Sequence, residues 1–145
     1  MKALVNNKRA YFDYKLDDTL IAGLVLSGAE VKSLKNGAGS LAGAYVSLRG
    51  EIPFLVHAHI SPYKYAGDKK QGDPERDRRL LLNKAEIKTL IGKEKGLVII
   101  PMEIFEAKRG LVKLKIGIGK PKKKYDKRET IKKREITRRI QRGED

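Results

Sequence analysis

Apolar and polar positions alternate most cleanly near the end of the body of the chain. Val112, Leu114, Ile116 and Ile118 fall on one face of an extended segment, with Lys113, Lys115 and Gly117 on the other. A period of two predicts a strand with a buried side and a wet, positive side. Gly96 to Ala107 and Leu111 to Ile118 flank Lys108-Arg109-Gly110 and predict a hairpin. Ala44 to Leu48 and Ile52 to Ile60 flank Arg49-Gly50-Glu51 and predict another. Tyr11 to Leu16 and Thr19 to Leu26 read as two further strands around a turn at Asp17-Asp18.

Two short helices interrupt this β pattern. Ser27-Gly28-Ala29-Glu30 has the spacing of a capping box, in which an N-cap hydroxyl and a Glu three residues on satisfy each other's backbone amides. Asn36-Gly37 would stop that helix. Asn83-Lys84-Ala85-Glu86 repeats the logic, with Gly92 closing the second helix. Ser61 to Arg79 holds two prolines, two glycines and many charges without an apolar period, and reads as a long surface loop. About six short antiparallel strands with small helices predict a closed barrel of the oligonucleotide-binding type, since closure removes exposed strand edges. The pattern alone also admits a sandwich.

Charge changes the picture. The 145 residues carry 33 Lys/Arg against 18 Asp/Glu, a formal net charge of +15. A cation that strong calls for a polyanionic partner, nucleic acid before an anionic membrane surface. The excess is uneven: Lys120 to Asp145 holds 12 basic and 5 acidic residues, net +7, while the residues before it are net +8. The expected organisation is therefore an RNA-binding β domain over residues 1–119 and a basic tail over 120–145. In that tail Asp126 fits an N-cap, and Glu129/Lys133 and Glu135/Arg139 are helix-favouring pairs worth about 0.2–0.5 kcal/mol each. Ile131, Ile136 and Ile140 form no common stripe, so the tail is expected to be disordered when free and helical once phosphates neutralise it.

Composition also excludes. With no cysteine there is no disulfide, thiolate catalysis or cysteine zinc site. The longest apolar run, around Thr19 to Leu26, falls well short of the roughly 20 residues that span a bilayer. The first residues are too few and too polar for a secretory signal, so a cytoplasmic, monomeric protein is expected. His57 and His59 share a strand face but have no third ligand of matching context, and no metal or cofactor is expected. Asp17-Asp18 reads as a turn, and Asp73, Glu75 and Asp77 lie among arginines, so no carboxylate cluster suits a nuclease. Against an enzyme stand two binding roles: an RNA adaptor, or a protein with a fixed place in the ribosome.

Several segments together carry a family resemblance from about Asn7 to Ile140. They are Asn7-Lys8-Arg9-Ala10, Ala22-Gly23 followed by Gly28, Glu30-Val31-Lys32-Ser33-Leu34, Tyr45-Val46, His59-Ile60-Ser61-Pro62-Tyr63, Asp73-Pro74 with Arg76 and Arg78, Leu80-Leu81-Leu82, Leu90-Ile91-Gly92-Lys93, and Tyr125-Asp126-Lys127-Arg128. In this order the chain resembles the small protein B (SsrA-binding, transfer-messenger-RNA-binding) family. The resemblance implies a non-enzymatic protein whose barrel binds the transfer-RNA-like part of transfer-messenger RNA. It also implies that the tail occupies the empty messenger channel near the decoding centre of a stalled 70S ribosome.

The implied RNA contacts are Asn7, Lys8, Arg9, Glu30, Lys32, Ser33, Lys35, Leu81, Asn83 and Lys113; the implied ribosome contacts are Lys120, Lys122, Lys123, Lys124, Tyr125, Asp126, Lys127 and Arg128. The lysines and arginines suit phosphates, and Tyr125 within a basic run suits stacking on a base. For Glu30 the capping box is the favoured reading, a helix N-cap is sufficient reason for Asn83, and Leu81 could equally be core. Three positions depart from the family pattern: Ile21 where a glutamate is usual, Phe12 where many members have histidine, and Pro121 in place of glycine before the tail lysines.

Overall fold

The computed structural model describes residues 2–64, 71–93 and 95–122. Among them run β1 (Lys2–Asn6), α1 (Lys8–Asp13), β2 (Tyr14–Leu24), α2 (Gly28–Lys35), β3 (Gly39–Ser40), β4 (Tyr45–Arg49), β5 (Ile52–Val56), β6 (His59–Ile60), β7 (Arg78–Leu81), α3 (Lys84–Ile91), β8 (Val98–Glu106) and β9 (Val112–Pro121). Seven strands form one sheet in the order β1-β8-β9-β2-β7-β5-β4, every neighbouring pair antiparallel; β3 and β6 pair separately.

β9 sits between the two long partners β8 and β2, and its alternation is what the sheet is built on. Val112, Leu114, Ile116 and Ile118 are all buried. They meet Ala22 and Leu24 of β2, Leu55 of β5, Leu80 of β7 and Ile104 of β8, with Leu34 of α2 and Leu90 of α3 closing the same core. Burying each large aliphatic side chain contributes about 1.5–3 kcal/mol, which two-turn helices need because their own hydrogen bonds leave them marginal.

A second, smaller apolar cluster lies beside the first. Ala10 of α1 packs on Ile100 and Met102 of β8, with Tyr11, Tyr14 and Leu16 around them. The wet face expected of β9 is accordingly confined to Lys113 and Lys115; Gly117 and Gly119 are buried. Both glycines are needed for close approach. A Cβ on Gly117 would lie 2.7 Å from Leu16 Cδ2, and one on Gly119 would lie 2.2 Å from the Lys15 carbonyl oxygen.

The structure corrects the sequence reading in several places. Asp17-Asp18 is not a turn: β2 continues through it, with a register shift between Leu16 and Asp18 and pairing to β9 from Tyr14↔Pro121 to Gly23↔Lys113. That long ladder outweighs a local turn preference, and a bulge absorbs the extra residue. Tyr11 to Asp13 is helical rather than extended, because Asn7 Oδ1 accepts the Ala10 amide and starts a helix. The run Ile52 to Ile60 breaks at His57, which adopts a left-handed φ of 61°. The end of the expected loop, from Arg78, is a strand. β9 runs to Pro121, two residues beyond the expected end of the β domain at 119.

The protein is mainly β with small helices, as expected. The sheet, however, has seven strands rather than six, and no ladder joins β1 to β4 among the described residues, so the ladder is not that of a closed six-stranded barrel. No helix among the described residues is long and apolar enough to cross a membrane.

Gly119→Ala is expected to destabilise the protein by about 3 kcal/mol, the upper end of overpacking costs, because the new methyl group meets backbone rather than a yielding side chain. Urea unfolding checks this: a midpoint equal to that of the parent chain would contradict the close approach of β2 and β9.

Candidate nucleic-acid interface

α2 is started by the expected capping box. Ser27 Oγ accepts the Glu30 amide at 3.2 Å, and Glu30 Oε1 accepts the Ser27 amide at 2.9 Å. The same carboxylate does a second task that the sequence did not reveal. Arg78 donates from Nε and Nη2 to Glu30 Oε2 at 2.9 and 2.7 Å, and Arg76 Nη2 bonds Oε1. The Arg78 side chain is 0% exposed; its remaining donors reach the Ala58 and Pro74 carbonyls at 2.5 and 2.8 Å. Burial pushes the Glu30 carboxyl up, but hydrogen bonds from Arg76, the Ser27 amide and Arg78, with the Arg78 charge, outweigh it and hold the group below its ordinary value. The carboxylate is ionised and fully occupied.

Several other expected contacts already have hydrogen-bond partners within the protein. Ser33 is buried, its hydroxyl donating to the Ser61 carbonyl at 2.5 Å. Asn7 accepts the Ala10 amide and donates from Nδ2 to the Pro101 carbonyl at 2.8 Å. Asn83 caps α3 by accepting the Glu86 amide at 2.8 Å. These side chains fix the backbone from which cations project.

The cations themselves are exposed or half-exposed. Lys8 and Arg9 lie at the start of α1, Arg9 paired with Asp13 at 3.1 Å and its guanidinium 5.7 Å from the Phe12 ring. Lys32 lies 5.7 Å from the Tyr63 ring, and Lys35 is 3.6 Å from Glu106. Lys120 is exposed; the Lys122 amide donates to the Asp13 carbonyl at 2.7 Å and its Nζ to the Tyr11 carbonyl at 3.3 Å. Lys123, Lys124, Tyr125, Asp126, Lys127 and Arg128, with the helix expected from Asp126, lie outside the described residues.

The structure brings two of the expected residues into one row. Gly23 pairs with Leu81 on one side and with Lys113 on the other, so the three share the outer face of the sheet. Gly23 is required there, because a Cβ would lie 3.1 Å from that of Leu81. Leu81 is 54% exposed, which settles its reading as surface rather than core. Ile21, 43% exposed, pairs with Lys115, whose Nζ lies 5.9 Å from the Tyr11 ring. An apolar strip flanked by ammonium groups suits RNA, presenting a contact for bases beside a contact for phosphates. Asn7 to Arg9 and Lys32 to Lys35 lie on other elements and are not part of this row.

His59 Nδ1 is 3.8 Å from Glu75 and its Nε2 is 3.3 Å from Ser61 Oγ, a hydrogen-bonded surface histidine. His57, at the left-handed kink, contacts the Tyr45 ring at 5.6 Å between centroids, so the two histidines do not continue one regular strand face.

The family model for SmpB protein matches residues 4–144. The SsrA-binding protein of Thermosipho africanus (strain TCF52B) is 48% identical over 142 residues, covering 97% of this chain and 95% of that protein. That of Geobacillus kaustophilus (strain HTA426) is 44% identical over 145 residues, covering 98% and 92%. A chain from the solved structure "tmRNA-SmpB: a journey to the center of the bacterial ribosome" aligns with a TM-score of 0.67 at 34% identity, covering 87% of this chain and 92% of that one.

Glu30→Gln is expected to cost about 3–5 kcal/mol at neutral pH, because it leaves the Arg78 charge buried without its counter-charge. A carboxyl held below its ordinary value of 4.5 contributes fully above that value, and the contribution is lost as pH falls through the lowered one. Thermal unfolding of both proteins across acid pH should therefore show the gap closing at the acid end. A gap that stays constant with pH would contradict an ionised Glu30.

Proposed function

Because the chain belongs to the SmpB protein family, we propose that it binds transfer-messenger RNA and brings it to stalled ribosomes for trans-translation, as an RNA-binding protein and not an enzyme. The observation that carries the structural side of this reading is the Lys113–Gly23–Leu81 row on the outer face of the sheet. It lies in a chain of net charge +15, and folded RNA is the polyanion such a face fits.

In this reading the cations and the exposed leucine touch RNA while the capping and buried polar residues hold them in place. Lys8, Arg9, Lys32, Lys35 and Lys113 meet phosphates; Leu81 meets base or sugar; Glu30 and Ser33 act from beneath, and Asn7 and Asn83 as helix caps. Residues 123–145 supply the contact with the messenger channel and decoding centre, supported by the 12 basic residues of the last 26. The sheet curls toward an oligonucleotide-binding-type barrel, a reading supported by Cα atoms of β4 and β8 lying within 8 Å without forming a ladder. A cytoplasmic setting follows from the ribosomal partner.

Removal of residues 123–145 should leave transfer-messenger RNA binding intact and abolish peptide tagging in a reconstituted translation system. Lys113→Ala should weaken RNA binding in the full chain and lower the salt slope of the logarithmic affinity by about 1. RNA binding lost with the tail but untouched by Lys113→Ala would place the binding surface on the tail and overturn this assignment.

A further inference from the structure

The outer face that carries Lys113 and Leu81 does not end at β7. Leu81 and Arg79 are two apart on that strand and share a face, while Arg78 and Leu80 between and before them are buried. Arg79 pairs with Phe54 of β5, and Phe54 pairs with Ser47 of β4. Side chains of directly paired residues stand on the same face of a sheet, so one surface runs without a break from β9 through β2, β7 and β5 to β4.

This extension is built for more than solubility. Arg79 is exposed and takes part in no ion pair among the described residues. Beside it the Arg49 guanidinium lies 4.5 Å from the centroid of the Phe54 ring and is also paired with Asp77. The guanidinium is thereby held over the ring by two partners, which lowers the entropy it has left to lose on binding. A fixed Arg plane on an aromatic ring is a platform on which an unstacked base lies well, and a free Arg beside it is a phosphate site.

We propose that the RNA-binding surface extends across β7 onto β5 and β4. Arg79 is its phosphate contact there, and the Arg49–Phe54 pair is a stacking platform for an unpaired base of the same RNA. β9 and β5 are three inter-strand spacings apart, about 14 Å, so one RNA strand of a few nucleotides bridges them. The inference rests on the sheet-face reading above and enlarges its footprint.

The test uses the full chain and transfer-messenger RNA transcribed in vitro, with affinity measured across a salt series. Arg79→Ala should weaken binding about five- to tenfold and lower the salt slope by about 1, and Arg79→Lys should restore the slope. Arg49→Ala should weaken binding with the slope nearly unchanged, because its charge is already paired with Asp77.

A second measurement does not depend on the stability of these variants. The chain has no cysteine, so Ser47→Cys carries a single photo-crosslinker onto the β4 end of the face, and RNA should be captured there. Normal affinity in Arg79→Ala and Arg49→Ala, or no capture from position 47, overturns the extension. If Lys113→Ala also bound normally, the sheet-face reading itself would fall; if Lys113→Ala alone lost affinity, that reading would stand and only the extension would go.

Discussion

A single carboxylate holds the sides of this molecule together. Glu30 starts α2 through its bond to the Ser27 amide and, through Arg78, ties that helix to β7 and to the carbonyls of Ala58 and Pro74. Taking such a pair out of water is expensive, and an apolar replacement of the same shape is often no less stable. What the pair adds here is register. Because Arg78 finds all its partners inside, Arg79 and Leu81 must point outward. A one-residue slip of β7 would bury Arg79 among groups that cannot satisfy it and would turn Leu80 to solvent. The interior ion pair therefore decides which side chains the sheet shows to solvent.

That division runs through the whole proposed interface, which mixes exposed cations with polar residues whose hydrogen bonds are spent within the protein. Long, flexible lysines gain affinity for phosphate only if the backbone beneath them is fixed, since every mobile attachment adds entropy to be lost on binding. Asn7, Ser33 and Asn83 spend their hydrogen bonds on that backbone. Gly23 and Gly119 contribute by having no side chain, one letting Leu81 stand close against β2 and the other letting β2 close on β9.

Much of this was legible in the residues alone. The hairpin around Lys108 to Gly110 and both capping boxes follow from local chemistry, and local chemistry is what the structure keeps. The misreading at Tyr11 to Asp13 was local, a cap at Asn7 passed over, but the two that shape the sheet involve partners distant in sequence. Asp17-Asp18 looks like a turn until β9 is available to pair across it, and Arg78 looks like a loop cation until Glu30, 48 positions earlier, is placed beside it. The spacing of Arg76 and Arg78, two apart beside a leucine run, was the available sign of a strand with a charged inner position. For the interface, the types of residue were readable, but their grouping was not: Leu81 and Lys113 meet only through Gly23.

The bonds from Lys122 to the Asp13 and Tyr11 carbonyls fasten the root of the tail to the end of α1. The point where a chain leaves a folded body limits what its next residues can reach, because each residue adds at most about 3.6 Å. With that point held on the same short helix that presents Lys8 and Arg9, a partner that meets those two cations also meets the place from which residues 123–145 begin.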